Sequence, residues 1–161
     1  AHVAGYIQQA CRGVLLVLNK WDLVAKVPRI QAEYTTHVRR ALQFLDYAPL
    51  LFVSAKTGQG VRQVLDTALA AAAEYAKRVP TARLNTVIAE AVRAHPLSER
   101  GRRLKVLYVT QASTRPPTFV FFVNDPSLLH FSYVRYLENQ LRQHFGFEGT
   151  CIKLVFRGRR E

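Results

Sequence analysis

Apolar residues along this chain recur at helical spacing, alternate as in strands, or run together in short blocks, and the changes of period mark its elements. Val3, Ile7 and Ala10 share one face of a helix predicted over residues 2–11, which Arg12-Gly13 stops because glycine readily adopts helix-ending backbone angles. Residues 14–18 are continuously apolar, the pattern of a short strand buried on both faces of a parallel sheet. A loop over 19–28 follows, then a helix over 30–46 marked by Ile30, Tyr34, Val38, Leu42 and Leu45. Residues 50–53 form a second apolar strand, 54–60 a glycine-containing loop, and 61–78 a helix with Val61, Leu65, Leu69 and Ala72 on its buried stripe. Helix–strand–helix–strand–helix is the order of a doubly wound α/β unit.

Val79-Pro80-Thr81 breaks that pattern, so a first domain is expected over 1–78, a linker over 79–82 and a second domain over 83–161. Leu84, Val87, Ile88, Ala91 and Val92 mark a helix over 83–94, ended by His95-Pro96 because the residue before a proline avoids helical angles. Residues 97–103 read as a charged loop. Two strands, 104–111 and 118–123, are expected to pair antiparallel across the turn 113–117. A helix over 131–145 carries Phe131, Val134, Leu137, Leu141 and Phe145 inward, and a last strand over 150–156 places Ile152, Leu154 and Phe156 on one face. The second half is therefore α-β-β-α-β. His95, His130 and His144 have no partners at ligand or triad spacing and read as surface or capping residues.

Composition narrows the class. The 161 residues are 49% hydrophobic and 21% charged, a globular balance. No apolar run approaches the ~20 residues of a membrane span, and no leader-like segment opens the chain, so no membrane partner is expected. Cys11 and Cys151 lack metal-ligand spacing and read as small, partly buried thiols in a reducing cytoplasm, with no disulfide and no metal site. The chain contains no Met and starts at Ala1, which is expected of a segment of a longer protein. A net charge of +12, spread over both halves, favours a polyanionic partner, nucleic acid first.

Two loops that follow the first two strands carry the chemistry: Asn19-Lys20-Trp21-Asp22 and Ser54-Ala55-Lys56. They resemble the N-K-x-D and S-A-K base-recognition motifs of Ras-like GTPases. Guanine presents N1–H and a 2-amino group side by side, and one carboxylate, that of Asp22, can accept both. Adenine offers a lone pair at N1 instead, and a site of this kind rejects it. The N–H of Ala55 is expected to donate to O6, and Asn19 to tie the two loops together. The stems of Lys20 and Lys56 would cover the base, and Ser54 would set the loop's shape. No G-x-x-x-x-G-K-[ST] phosphate loop and no upstream Asp-x-x-Gly occur in the chain. The expectation is an incomplete Ras-like P-loop GTPase domain holding its last two parallel strands. It would contact GTP or GDP at the base, take magnesium only together with a missing N-terminal half, and not hydrolyse GTP alone. The first strand would keep an open edge and the helix over 61–78 would lose part of its core.

The second half carries Tyr108-Val109-Thr110-Gln111, Arg115-Pro116-Pro117-Thr118-Phe119, Ser132-Tyr133-Val134-Arg135-Tyr136-Leu137-Glu138-Asn139 and Phe145-Gly146-Phe147-Glu148-Gly149-Thr150. With the two loops upstream, these segments resemble the C-terminal part of the Der (EngA) family over essentially the whole chain. The resemblance implies the back half of a second G domain followed by a KH-like α+β domain. It also implies a cytoplasmic, bacterial role in assembly of the large ribosomal subunit, with rRNA and the remaining G domains as partners. Cys151 stands where the family usually has Pro, and the Pro run after His95-Pro96 is shorter than usual. The second half lacks the GXXG loop by which a regular KH domain clamps nucleotides. What remains for RNA is charge: Arg100, Arg102, Arg103 and Lys105 near one strand, and Lys153, Arg157, Arg159 and Arg160 around the last, one patch if those strands are neighbours. The aromatics Tyr108, Phe119, Phe121, Phe122, Tyr133 and Tyr136 read as core in preference to base-stacking residues. The alternative reading is an inert truncated G domain joined to a stand-alone RNA-binding or interdomain docking module.

Overall fold

The computed structural model describes residues 2–24, 27–99 and 101–158; Arg100, Arg159 and Arg160 lie outside the described residues. The chain forms two units, Ala1–Tyr75 with Glu148–Cys151, and Ala76–Phe147 with Ile152–Glu161. The expected linker over 79–82 thus belongs to the second unit, where Val79 is buried.

In the first unit, helix α1 (His2–Ala10) precedes strand β1 (Leu16–Leu18), helix α2 (Ile30–Ala41), strand β2 (Leu50–Phe52) and helix α3 (Val61–Ala76). β1 and β2 pair in parallel, with Leu16 opposite Leu50 and Leu18 opposite Phe52. Parallel strands need a long crossover, and α2 supplies it. The core of this unit is Val14, Leu45 and Ala48, packed by Ala4, Ile7, Leu16, Leu42 and Phe44. The face that α1 buries is therefore Ala4 and Ile7; Val3 and Ala10, expected inward, are exposed. The helix expected over 30–46 stops at Ala41, where Leu42 leaves helical angles, and a 3-10 turn Gln43–Leu45 sinks Leu45 into the core. The Arg39 guanidinium donates to the carbonyls of Leu45 at 3.1 Å and Ala48 at 2.7 Å, supplying partners that the interrupted helix cannot.

α3 departs furthest from expectation. Val61, Leu65, Leu69 and Ala72 are exposed, Leu69 at 71%, and Ala71 is its buried residue. Two strands of three residues reach only ~10 Å along their length. A helix of 16 residues extends ~24 Å, so most of α3 has no sheet beneath it.

Glu148–Cys151 joins this unit through backbone bonds from Val14 N to Gly149 O at 2.7 Å and from Gly149 N to Tyr47 O at 2.8 Å. Gly149 has φ +69°, and a Cβ there would lie 2.8 Å from that of Ala71. That return places Cys151 beside the end of α1, and Cys11 and Cys151 form a disulfide with their Cα atoms 5.1 Å apart. The cysteines are thus paired, against expectation, because a separation of 140 residues hides a neighbourhood that only folding creates.

The second unit comprises helix α4 (Thr81–Ala94), strands β3 (Ser98–Glu99), β4 (Arg102–Arg103), β5 (Val106–Thr114) and β6 (Pro117–Val123), helix α5 (Phe131–Phe145) and strand β7 (Lys153–Gly158). The sheet order is β5-β6-β7, with β6 antiparallel to β5 and parallel to β7. This is the expected α-β-β-α-β order, with one addition: the charged loop over 97–103 folds into the small β3–β4 hairpin. Alternation on β6 sends Phe119, Phe121 and Val123 into the core with Leu84, Ile88, Leu137, Leu141 and Phe147. Leu154 and Phe156 meet the same core from β7, and Ile152 from just before it. On α5 Tyr133 is buried and its hydroxyl donates to His95 O at 2.9 Å, Tyr136 and Phe145 pack against the same core, and Phe131, expected inward, is 81% exposed.

The free edge of β5 is closed by side chains. Asn85 of α4 accepts from Val109 N at 2.9 Å and donates to Val109 O at 2.8 Å. Gln111 accepts from Val79 N and donates to Lys77 O, and Arg78 donates to Gln111 O. An edge so occupied cannot template another strand.

Candidate functional site

The loops behind β1 and β2 emerge side by side because parallel strands end at the same edge of their sheet. Lys20 takes left-handed angles (φ 64°) and turns the chain into the 3-10 turn Trp21–Leu23. Asn19 Oδ1 accepts from the N–H of Lys20 at 2.7 Å and from that of Ala55 at 3.0 Å, so one amide oxygen joins both loops. Ser54, fully buried, donates from Oγ to Asp22 Oδ1 at 2.5 Å and accepts from Thr57 N at 3.2 Å. Ser54 N donates to Gln59 O, and Gly58 N to Ser54 O, closing the second loop on itself. Lys56 is exposed, as are Lys20 and Ala55.

The result is a carboxylate held from one side. Asp22 has one oxygen engaged by Ser54, which leaves acceptor capacity on both oxygens for two adjacent donors. The Ala55 N–H, expected to face O6, points at Asn19. Trp21, the variable position of the first motif, was not singled out from the sequence, yet it positions the loop. Its backbone N–H donates to Val53 O at 3.0 Å, and its ring packs 4.4 Å from Phe52 and 5.3 Å from Tyr34, centre to centre. The available signal was that it is the sole Trp of the chain.

The strands that carry the described basic residues of the second unit are not neighbours. β6 separates β5 from β7, which puts Lys105 and Arg157 on segments two strand spacings, ~9.6 Å, apart. Arg157 lies opposite Phe122 and Lys153 opposite Thr118, so the two are at different ends of β7. Arg102 is engaged by Asp125 at 2.7 Å. Arg103 and Lys105 lie together, tied by Asn124, which donates to Arg103 O and accepts from Lys105 N. His130 Nε2 lies 3.3 Å from Glu99, and His95 Nδ1 3.0 Å from the Tyr136 hydroxyl. Phe119 and Phe121 are core, whereas Tyr108, 45% exposed, and Phe122 lie on the face of the sheet away from it.

Residues 78–157 match the family model described as KH-domain-like of EngA bacterial GTPase enzymes, C-terminal. GTPase Der of Desulfitobacterium hafniense (strain DSM 10664 / DCB-2) is 51% identical over 160 residues, 99% of this chain. The chain belongs to the Der (EngA) family. GTPase Der of Geobacillus thermodenitrificans (strain NG80-2) is 51% identical over 159 residues, and that of Brevibacillus brevis (strain 47 / JCM 6285 / NBRC 100599) 46% over 153. The chain spans about a third of the length of these Der relatives, 36% of the first. The KH-like match begins at residue 78 and covers the β5-β6-β7 sheet with α4 and α5. No helix among the described residues is long and apolar enough to cross a membrane.

Proposed function

We propose that this chain supplies the guanine-reading end of a G domain and an RNA-contacting KH-like domain to a GTP-binding protein that acts in assembly of the large ribosomal subunit. The observation that carries the reading is the pair of bonds joining the two loops, Ser54 to Asp22 and Ala55 to Asn19. They hold a carboxylate beside a backbone donor, the complement of guanine's N1–H, 2-amino and O6 groups. The first unit's parallel strands, each followed by such a loop, support reading it as the last two strands of a Ras-like sheet. Asp22 would accept from N1–H and the 2-amino group. The Ala55 N–H would be shared between Asn19 and O6, and the stems of Lys20 and Lys56 would flank the base. GTP or GDP bound here would bring its phosphates and magnesium to groups outside these loops, so this chain's own part is selection of the base. Basic residues of the second unit would hold rRNA phosphates, the missing N-terminal half of this G domain would complete the nucleotide site, and the remaining G domains would be partners, in the cytoplasm.

Calorimetric titration of this chain with GDP, with ADP as control, tests the reading. Binding of GDP but not ADP, lost in Asp22→Ala, is the expected result. Equal affinity for the two nucleotides, or undiminished guanine preference in Asp22→Ala, would overturn the assignment of the base site.

A further inference from the structure

α4 and the segment that enters β5 enclose a groove of about 450 Å³, within the range of sites that hold small ligands. Asn85, Ile88, Ala89, Val92 and Arg93 recur along one face of α4 and form one wall. Arg103, Leu104, Lys105, Val106 and Leu107 form the other. Its floor is apolar: Ile88 and Leu104 are core residues, and Val92 and Val106 pack against them. Leu107, 55% exposed, also lines it. Its rim is cationic: Arg93, Arg103 and Lys105 are all exposed, no carboxylate is among the lining residues, and among the described residues none of the three forms an ion pair.

We propose that this groove between α4 and the start of β5 is a seat for single-stranded RNA, with a base on the apolar floor and flanking phosphates on Arg93, Arg103 and Lys105. The inference rests on the RNA-contacting reading above and gives it a location. Arg93 was not among the residues read from the sequence. Guanidinium groups match phosphate oxygens bidentately and stack on base faces, while an apolar floor accepts any base. An acidic peptide is the other polyanion of the right size, and the groove suits it less. An added peptide strand needs a row of free backbone groups, yet Asn85 occupies both groups of Val109, and Arg78 the carbonyl of Gln111. Because Asn85 is committed to that edge, it is not free to read a base, so binding would be tolerant of sequence and steep in salt.

The test is fluorescence anisotropy of a labelled mixed-sequence 12-nucleotide RNA titrated with the full chain at several salt concentrations. The variants are Arg93→Glu, Lys105→Glu and Ala89→Glu, with Arg115→Glu as a control in the turn at the other end of β5 and Arg157→Glu as a probe of the open sheet face. Ala89 is an exposed helix position, so its variant places a carboxylate in the groove without touching the core. Circular dichroism checks that each variant is folded. The expected result is a loss of affinity of about ten-fold or more for each groove variant and less than two-fold for the control. The salt slope of Arg93→Glu should also fall by about 0.7, the change that accompanies one phosphate of a single strand going unneutralised. Equal losses in Arg115→Glu and the groove variants would reduce the effect to net charge and overturn the site. Loss in Arg157→Glu with none in Arg93→Glu would move RNA to the open sheet face, overturning the groove and leaving the RNA reading intact. No RNA binding by the unaltered chain would overturn both. Binding of a labelled oligoglutamate, abolished by Arg93→Glu and stronger than that of RNA, would overturn the RNA seat and assign the groove to an acidic peptide.

Discussion

Asp125 shows how one side chain is bound to its setting. Its carboxylate accepts from Ser127 Oγ at 2.6 Å and Ser127 N at 3.0 Å, capping the turn Pro126–Leu128, and it also meets Arg102. The two Ser127 hydrogen bonds, aided by the Arg102 charge, hold its pKa below the ordinary 3.8. A carboxyl with a depressed folded-state pKa stabilises the fold above its unfolded value and loses that contribution as pH falls through the folded one. An NMR titration should therefore place its midpoint below 3.8, and Ser127→Ala should move it upward. At Gly149, left-handed angles and the 2.8 Å approach to Ala71 leave no room for a side chain. Gly149→Ala should lower the unfolding free energy by more than ~1 kcal/mol in urea denaturation. The joining of the two loops through Asn19, Asp22 and Ser54 was legible because these residue types stand at a fixed motif spacing. Trp21 was not, since its role is packing and any large side chain at that position satisfies the motif.

At the scale of elements, periodicity located the helices and strands well and their faces less well. A helical stripe states which residues lie together, and what they meet depends on the neighbouring element. In α4 and β6 stripe and burial coincide, because each packs within a complete three-strand sheet unit. In α3 the stripe is intact and exposed, because the sheet beneath it has two strands. The β3–β4 hairpin escaped detection because two residues a side show no alternation. Asn85 links helix to sheet by two hydrogen bonds, to both backbone groups of Val109, and donates within α4 to Thr81 O. Asn85→Ala should cost about 2 kcal/mol, since it strands a backbone donor and acceptor at a part-buried edge. Chemical denaturation of the full chain followed by circular dichroism would measure it, and no change would mean water replaces the amide fully.

For the whole molecule, the exposed apolar residues Val61, Leu65 and Leu69 and the open edges of a two-stranded sheet form a surface prone to association. Sedimentation velocity should show self-association that grows with concentration, and Leu65→Gln with Leu69→Gln should reduce it. The Cys11–Cys151 pairing predicts no titratable thiol in the denatured, non-reduced chain. Two thiols per chain under those conditions would restore the sequence expectation of independent cysteines.

By itself, the sequence determined the order of elements, the membership in the Der family, the two candidate base-reading loops and the basic character of both halves. Each of these is local, a matter of period, motif or composition. Only the tertiary structure decided that Glu148–Cys151 joins the first unit and brings Cys151 to Cys11. It also placed β6 between the two sets of basic residues and set Arg93 across a groove from Lys105. Those are relations between distant positions, set by which surfaces pack, and no window along a single chain contains them.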